Sequence, residues 1–204
     1  NEQAPNTIRL TPHSLKALAH PLRVAMLGLL RADGPATASK LARRLETSSG
    51  ATSYHLRQLE RHGFVVEVPG MGTGRERYWE ARHDYTIADR SHMQNDADAV
   101  VLFDEFMRLS SNLREVEVVK WIESQNDWGD AWTDASASDD YLLRLNQAEL
   151  AEMVESIRVL IVSRAARPED EAPDDSAAVR VHLVAFPVAD PGAALIEAVK
   201  LGDS

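Results

Sequence analysis

Residues 53–64 read SYHLRQLERHGF, and this stretch constrains the fold more than any other part of the chain. Leu56 and Leu59 have the spacing of a buried helix face. Gly63 predicts the end of that helix, because glycine readily adopts the left-handed conformation beyond a helix C-terminus. The opposite side carries groups that can reach phosphates and base edges: Ser53, Tyr54, Arg57 and Arg61. The stretch therefore predicts an amphipathic helix whose outer face is suited to reading nucleic acid.

Two further helical patterns precede this helix. Residues 10–35 contain a pattern broken at His20-Pro21, where proline suits the first turn of a new helix because its missing N–H has no partner to lose there. TASKLARRLE is a shorter helical pattern that Thr37 can cap. Residues 47–50, Thr-Ser-Ser-Gly, then predict a tight turn that contains a second candidate N-cap.

The hydrophobic period changes from helical to alternating after Gly63. FVVEV and RERYWEA flank the glycine-rich segment PGMGTG, which predicts a two-stranded hairpin with a long tip. The order helix, helix, turn, helix, hairpin is that of a winged helix-turn-helix. We therefore predict such a domain over residues 11–85.

The remainder of the chain, residues 86–204, predicts a second region that is mainly helical. Residues 95–124 carry an apolar stripe too broad for one helix to leave in water, so it should pack against something. GDAWTDASASDD predicts a loop. A strand at 141–145, a helix to about residue 164 and an alternating strand at 179–188 predict a small strand-helix-strand unit. The fold class expected for the whole chain is α+β.

The formal net charge of −10 conceals an asymmetry along the chain. Residues 1–85 contain 12 Lys and Arg against 8 Asp and Glu, a net of +4, whereas residues 86–204 contain 10 against 24, a net of −14. A basic DNA-facing module joined to an acidic region has this distribution, because only the face that meets phosphate has to be positive. Chance variation of surface charge is the alternative explanation.

Several classes of protein are disfavoured by what the sequence lacks. The chain has no cysteine, which excludes disulfides, thiolate metal sites and cysteine nucleophiles. The longest apolar run, around residues 159–162, is far shorter than the ~18 residues of a membrane helix, and NEQAPNTIRL has no signal-peptide pattern. Residues 86–204 have neither a glycine-rich phosphate loop nor a nucleophile elbow. We therefore expect a cytoplasmic protein without membrane contact, enzyme activity or cofactor.

Three segments resemble the ArsR-type winged-helix repressors of bacteria, in the same order and at similar spacing: LKALAHPLRVAMLGLL, LARRLETSSGATSYHLRQLERHGFVV and GRERYWEA. The resemblance covers roughly residues 11–85. Residues 86–204 are only loosely similar to the C-terminal regions of actinobacterial regulators of this kind. The resemblance implies a homodimer that binds double-stranded DNA through two recognition helices and releases it when an effector binds.

The resemblance also implies which residues meet DNA. The start of the recognition helix falls at the major groove, and its arginine at position 57 falls at the backbone. Arginines of the hairpin can follow phosphates beside a minor groove, and cations of the preceding helix, including Arg44, are weaker candidates for backbone contact. The predicted DNA-binding residues are Ser48, Ser49, Gly50, Ser53, Tyr54, Arg57, Lys40, Arg43, Arg75 and Arg77. Packing of Tyr54 between helices is the structural alternative, and His55 is expected on the leucine side.

No effector can be identified from the sequence. Metal-sensing relatives carry cysteine pairs on the helix before the turn, and TASKLARRLE has none. Imidazoles and carboxylates near the end of the winged domain are conceivable zinc ligands, but their spacing fits no ligand pattern and we interpret them as loop residues: His83, Asp84, Asp89 and His92. An aromatic group could line a pocket for an organic effector or belong to an ordinary core: Trp121, Trp128, Trp132 and Tyr141.

The sequence therefore predicts a sequence-specific DNA-binding transcriptional regulator, a repressor released by a small-molecule or protein effector. Residues 11–85 are its expected DNA-binding domain, and residues 86–204 its expected dimerisation and effector region. A winged helix used only for protein contact is the main alternative. An enzyme housed in residues 86–204 is a weaker one.

Overall fold

A computed structural model of the chain describes residues 6–72, 76–165 and 172–190, together with Gly192 and Val199. These residues belong to two compact units, 1–138 and 139–204. The helices of the first unit are α1 (Pro12–Leu18), α2 (Pro21–Asp33), α3 (Ala38–Arg44), α4 (Ser49–Arg61), α5 (Ala97–Ser124) and α6 (Asp130–Ala135), with short 3-10 helices at Arg90–Met93 and Gln125–Asp127. Its strands are β1 (Thr7–Arg9), β2 (Ala36–Thr37), β3 (Val65–Val68), β4 (Tyr78–Ala81) and β5 (Tyr85–Ile87).

Local sequence signals start and stop the helices of the winged domain. The side chains of Thr37 and Ser48 accept hydrogen bonds from backbone N–H groups at the starts of α3 and α4, at 3.2 and 3.1 Å. The α1–α2 break falls where it was predicted, with His20 as N-cap and Pro21 in the first turn of α2. Gly63 follows α4 with φ of +76°, the left-handed conformation expected of a glycine at this place.

The predicted hairpin is confirmed as the wing. Strands β3 and β4 pair antiparallel, with Val65 opposite Ala81 and Val68 opposite Tyr78. The two-residue strand β2 adds to the other edge of β4, so the sheet order is β2-β4-β3. This arrangement anchors the start of α3 to the base of the wing.

A second, parallel pair of strands was not predicted. β1 pairs with β5 in the register Thr7 to Tyr85; β1 lies before the predicted limit of 11, and β5 begins at the predicted limit of 85 and extends past it. Three-residue strands contain too few positions for an alternating pattern to be recognised. Additional backbone and side-chain contacts of Asn6 to residues 82–85 hold the N-terminal segment against the winged domain.

The winged domain shares one hydrophobic core with the beginning of α5. Its most deeply buried large side chains are Leu10, Leu15, Leu18, Met26, Leu56, Leu59, Phe64 and Met93. From α5, Ala99, Phe103 and Phe106 complete this core. The helix predicted at 95–124 is therefore confirmed, and its first turns hold the winged domain together.

The C-terminal half of α5 is much less covered. Val116, Val119 and Ile122 are about half exposed, at 52, 46 and 54%. The apolar stripe was predicted to be packed, but within the first unit only its N-terminal part is. The segment predicted as a loop after α5 also contains helix α6, in which Trp132 packs against Trp128 with a ring-centroid distance of 6.0 Å.

The second unit contains α7 (Gln147–Ala165), which confirms the helix predicted there. The strands predicted at 141–145 and 179–188 are not formed, so the strand-helix-strand unit was wrong although the α+β class is right. An alternating sequence fixes which side chains share a face, but a strand also requires backbone pairing with a neighbouring strand, and among the described residues neither segment belongs to a sheet. Among the described residues, no helix combines the length and the apolarity needed to cross a bilayer.

Candidate nucleic-acid interface

Helix α4 is fixed to the winged domain by its inner face. Leu56 and Leu59 are fully buried, and so is Thr52. The Thr52 hydroxyl donates a hydrogen bond of 2.9 Å to the carbonyl of Ala38, at the first residue of α3. Since this bond joins the starts of the two helices, it sets the geometry of the turn between them. The inner face therefore holds α4 in one orientation relative to α3.

The outer face of α4 is left open. Tyr54 is 55% exposed, which rules out the alternative of a tyrosine packed between helices within this chain. Ser48, Ser49, Gly50 and Arg57 are exposed, and Ser53 is half-buried. Most of these predicted positions thus lie on one exposed surface. Ser48 has a structural duty as well, because its side chain caps the helix.

The packing within the chain does not require a glycine at position 50. It lies in the first turn of α4, and a Cβ atom built there would meet only the Ser48 hydroxyl oxygen, at 4.0 Å. Its φ is not positive, so the backbone conformation does not require glycine either. Glycine is a poor helix former compared with alanine, and the reason for its presence has to be sought outside the fold.

The cations of α3 lie on the surface beside this face. Lys40, Arg43 and Arg44 are all exposed. Arg44 forms an ion pair with Asp33 of α2, at 3.4 Å between Nη2 and Oδ2. Within the described residues, Arg44 is therefore engaged at the protein surface, which agrees with its lower rank among the predicted contacts.

The wing contributes Arg77, which is exposed and pairs with Glu67 on the facing strand. The Nη1 to Oε2 distance is 3.1 Å. Exposed ion pairs of this kind contribute only about 0–1 kcal/mol, so Arg77 can exchange this partner at low cost. Arg75, the other predicted wing residue, lies outside the described residues.

A cleft of about 530 Å³ lies between the start of α3, the outer side of α4 and the base of the wing. It brings together three predicted residues, Ser53, Arg57 and Arg77. It also contains Thr37 and Ser39, which the sequence did not identify as site residues. Two guanidinium groups and several hydroxyls suit a phosphate, and the single carboxylate of Glu76 opposes one.

Thr37 and Ser39 were missed because the evidence for them is tertiary. The sequence identified Thr37 only as a helix cap, a role it also has. Nothing in a local pattern indicates that residues 37–39 lie opposite Arg57 and Arg77. A threonine at the N-cap and a serine in the first turn of α3 are the available signal, since such hydroxyls can bind backbone phosphates.

A partly buried arginine, Arg23, lies close enough to Tyr54 and His55 of α4 to act on them electrostatically. Its guanidinium donates hydrogen bonds to the carbonyls of Lys16 and Ala17, at the end of α1. Burial lowers the pKa of Arg23, and the nearby Tyr54 partly offsets this effect. His55 is buried, on the leucine side of α4 as expected, and its ring meets that of Tyr54 edge-on at 5.1 Å.

The two carboxylates among the conceivable zinc ligands have other partners. Asp89 forms an ion pair with Arg9 at 2.7 Å, and Asp84 accepts a hydrogen bond from the backbone N–H of Asn6 at 3.1 Å. Both carboxylates thereby hold the N-terminal segment. Within the described part of the chain, no group of three or more His, Asp or Glu side chains is arranged to hold a metal ion.

Residues 18–68 match the family model of a helix-turn-helix domain. This match spans α2, α3 and α4 and ends with β3, and the hairpin described above supplies the wing. A winged helix-turn-helix is thus the fold of this part of the chain. A comparison with curated proteins gives no match.

Several solved structures are similar to parts of the chain. Reduced HlyU from Vibrio cholerae is 24% identical, with a TM-score of 0.30, over 47% of this chain and 82% of its own. An apo mutant of ZitR from Lactococcus lactis is 15% identical, with a TM-score of 0.32, over 70% and 83%. The transcriptional regulator PA4135 is 16% identical, with a TM-score of 0.30, over 53% and 75%. TM-scores this low do not identify a fold. The fold is identified by the topology of this chain and by the domain match.

Proposed function

We propose that the chain is a sequence-specific DNA-binding transcriptional regulator, with residues 11–85 as its DNA-binding domain. One observation carries the proposal: α4 is anchored by a fully buried inner face, while its outer face leaves Tyr54 and Arg57 exposed. Helix-turn-helix proteins present a recognition helix to the major groove in this way. The net positive charge of residues 1–85 also supports DNA as the partner.

The predicted DNA-binding residues divide by chemistry into base contacts and phosphate contacts. Residues in and just before the first turns of α4 are suited to base edges through short polar side chains, a tyrosine and the open backbone of a glycine: Ser48, Ser49, Gly50, Ser53 and Tyr54. The predicted cations are suited to phosphates, which position the protein without reading sequence: Lys40, Arg43, Arg57, Arg75 and Arg77. The hydroxyls of Thr37 and Ser39 extend this second group.

Residues 86–204 serve, in this proposal, as the dimerisation and effector region. The half-exposed apolar residues at the end of α5 support an interface between two copies, because a broad apolar surface of this kind is rarely left in water. Two-fold symmetric operators also call for two-fold symmetric readers. Sedimentation at micromolar concentration tests the dimer, and a purely monomeric protein would reject it.

Regulation follows the ArsR-type resemblance: a cytoplasmic repressor that leaves its operator when an organic molecule or a protein binds residues 86–204. The Trp128–Trp132 pair, with Trp128 47% exposed, is an accessible aromatic group that could meet an organic effector. A ligand screen that follows tryptophan fluorescence and operator affinity together tests this part. Unchanged signals across a broad screen would leave it without support.

The DNA-binding proposal itself is tested by incubating the full chain with fragments of genomic DNA at moderate salt and sequencing what is retained. We expect a small set of fragments that share a two-fold symmetric site. The variant Tyr54→Ala should retain fragments with less preference. If the folded wild-type chain retains no DNA, or retains all fragments equally, the chain is not a sequence-specific regulator, and a winged helix used for protein contact becomes the better explanation.

A further inference from the structure

Two pairs of histidine rings lie between α4 and the helices behind it. His55 faces His20 with a ring-centroid distance of 4.4 Å, and His62 faces His13 with a distance of 4.5 Å. His55 and His62 are seven residues apart, which is close to two helical turns and places both on one side of α4 and its C-cap. The middle and the C-terminal end of α4 are therefore seated against imidazole rings.

The hydrogen bonds at these rings suit neutral imidazole. The Nδ1 atoms of His55 and His62 are buried and have no hydrogen-bond partner. Nδ1 of His20 accepts a hydrogen bond of 3.1 Å from the backbone N–H of Leu22, which caps α2. A proton on that nitrogen would abolish the cap, since a protonated imidazole has only donors.

The charges that act on the α4 rings come from cations. Arg23 of α2 and His20 act on His55, and Arg23, Arg61 and His13 act on His62. Arg23 is held in place by its bonds to the end of α1. A second positive charge at either ring would therefore stand beside a fixed guanidinium, without a carboxylate among these neighbours to neutralise it.

We propose that these two histidine pairs make the seating of α4 pH-sensitive, so that their protonation displaces the helix and releases DNA. The inference rests on the proposed function of α4 as the recognition helix. Since the same helix carries the inner rings and the outer contacts, a shift at one face changes the geometry at the other. Acidification then acts on DNA binding without any ligand.

The direction of the pH effect follows from the pKa values. Burial, followed by the neighbouring cations, lowers the pKa of His20, His55 and His62 below 6.5 in the folded chain. A hydrogen bond to the backbone of His13 partly opposes this at His62. The unfolded chain therefore binds more protons, and stability is fully present above about pH 6.5 and is lost as pH falls through that value toward the folded pKa values.

The weakening of DNA binding that we expect on acidification is opposite to the usual electrostatic effect of low pH. Acidification adds positive charge to a protein and normally strengthens its attraction to phosphate. Weaker DNA binding at low pH, in a chain that is still folded, therefore distinguishes displacement of α4 from simple electrostatics. A loss of folding stability at low pH would not by itself support displacement of α4, because many proteins unfold in acid.

The test compares the wild-type full chain with His55→Gln plus His62→Gln, at constant ionic strength from pH 8 to 5.5. Operator affinity is measured by fluorescence anisotropy, and folding by circular dichroism at each pH. We expect wild-type affinity to fall by up to about tenfold between pH 7.5 and 5.5, which is the most that one linked proton with a released pKa near 6.5 can supply. The double variant should lose most of this dependence. His92→Gln, at an exposed histidine, is the control and should behave as wild type.

If the double variant does not fold, His62→Gln alone is used, at the half-buried site, and about half of the pH dependence should disappear. Wild-type affinity that is constant or rises on acidification would overturn the inference, as would an equal loss in the variant. The amide NMR signals of α4 in the free protein give an independent readout. If these shift with pH in the wild type only, while no DNA is bound at any pH, the seating mechanism stands and the proposed function fails.

Discussion

Replacing Gly50 by alanine adds a single methyl group, which we expect to change folding stability and DNA affinity in opposite directions. The added Cβ would meet only the Ser48 hydroxyl oxygen at 4.0 Å, an ordinary contact. Alanine is a better helix former than glycine by about 0.5–1 kcal/mol, with a smaller effect in a first turn. We therefore expect Gly50→Ala to stabilise the chain by several tenths of a kcal/mol, and its Tm to rise by about 1–3 °C.

The same methyl group should weaken operator binding. If the backbone at Gly50 approaches a base edge, the methyl group occupies that space and a base contact is lost, at a cost of roughly 1–3 kcal/mol. This corresponds to about a 5–150-fold weaker Kd. Fluorescence anisotropy with labelled operator, beside thermal unfolding of the same preparation, measures both effects.

Gly28 provides a matched control. It is an exposed glycine inside α2, and a Cβ atom there would have nothing within 4 Å. Gly28→Ala should give a stability gain of about 0.5–1 kcal/mol and leave operator affinity unchanged. If Gly50→Ala binds the operator as tightly as wild type, the backbone at this position does not approach DNA. If it destabilises the chain, the steric reasoning is wrong.

Two other substitutions test the two faces of α4. Tyr54→Ala, at the exposed outer face, should leave the Tm nearly unchanged and reduce the preference for operator over random DNA by roughly 1–3 kcal/mol, measured by competition binding; an unchanged preference would remove Tyr54 from the reading face. Thr52→Val removes the hydroxyl that donates to the carbonyl of Ala38 while preserving volume, and should cost about 1–3 kcal/mol of unfolding free energy. Thr52→Ser, which keeps the hydroxyl, should recover much of that loss, and equal destabilisation of both variants would contradict the assigned role of the bond.

The sequence predicted the winged domain well because its signals are local. Helical periodicity, the cap at Thr37, a second cap within residues 47–50 and the glycine at position 63 each act within a few residues, and the structure has them as expected, with Ser48 as the second cap. The strands at 141–145 and 179–188 failed for the opposite reason. Alternation of apolar and polar residues specifies which side chains share a face of a strand, but it does not specify a neighbouring strand. A strand forms only when such a neighbour is available for backbone pairing.

The candidate site could likewise be predicted where its signals are local, and it could not be predicted where they are tertiary. The outer face of α4 could be predicted, because two buried leucines three residues apart determine which residues point away from them. The cleft could not, because it depends on where the start of α3 and the wing stand relative to α4. Thr37 and Ser39 meet Arg57 and Arg77 through tertiary contacts, among them the pairing of β2 with β4 and the bond from Thr52 to Ala38.

The two arginines of the cleft should differ in their contribution to DNA binding. Arg57 has no ion pair among the described residues, whereas Arg77 has to leave Glu67 before it can bind a phosphate, which then exposes a carboxylate beside the DNA. Arg57→Ala should therefore weaken binding to operator and random DNA alike and lower the salt-dependence slope by about 1, the value for one phosphate contact. Arg77→Ala should have a smaller effect on both quantities, and Glu67→Gln should strengthen binding by releasing Arg77. Affinity measured between 50 and 200 mM salt, roughly the range over which phosphate contacts are resolved, decides the matter. Equal slopes for the two alanine variants, or weaker binding by Glu67→Gln, would show that the Arg77–Glu67 pair does not compete with DNA.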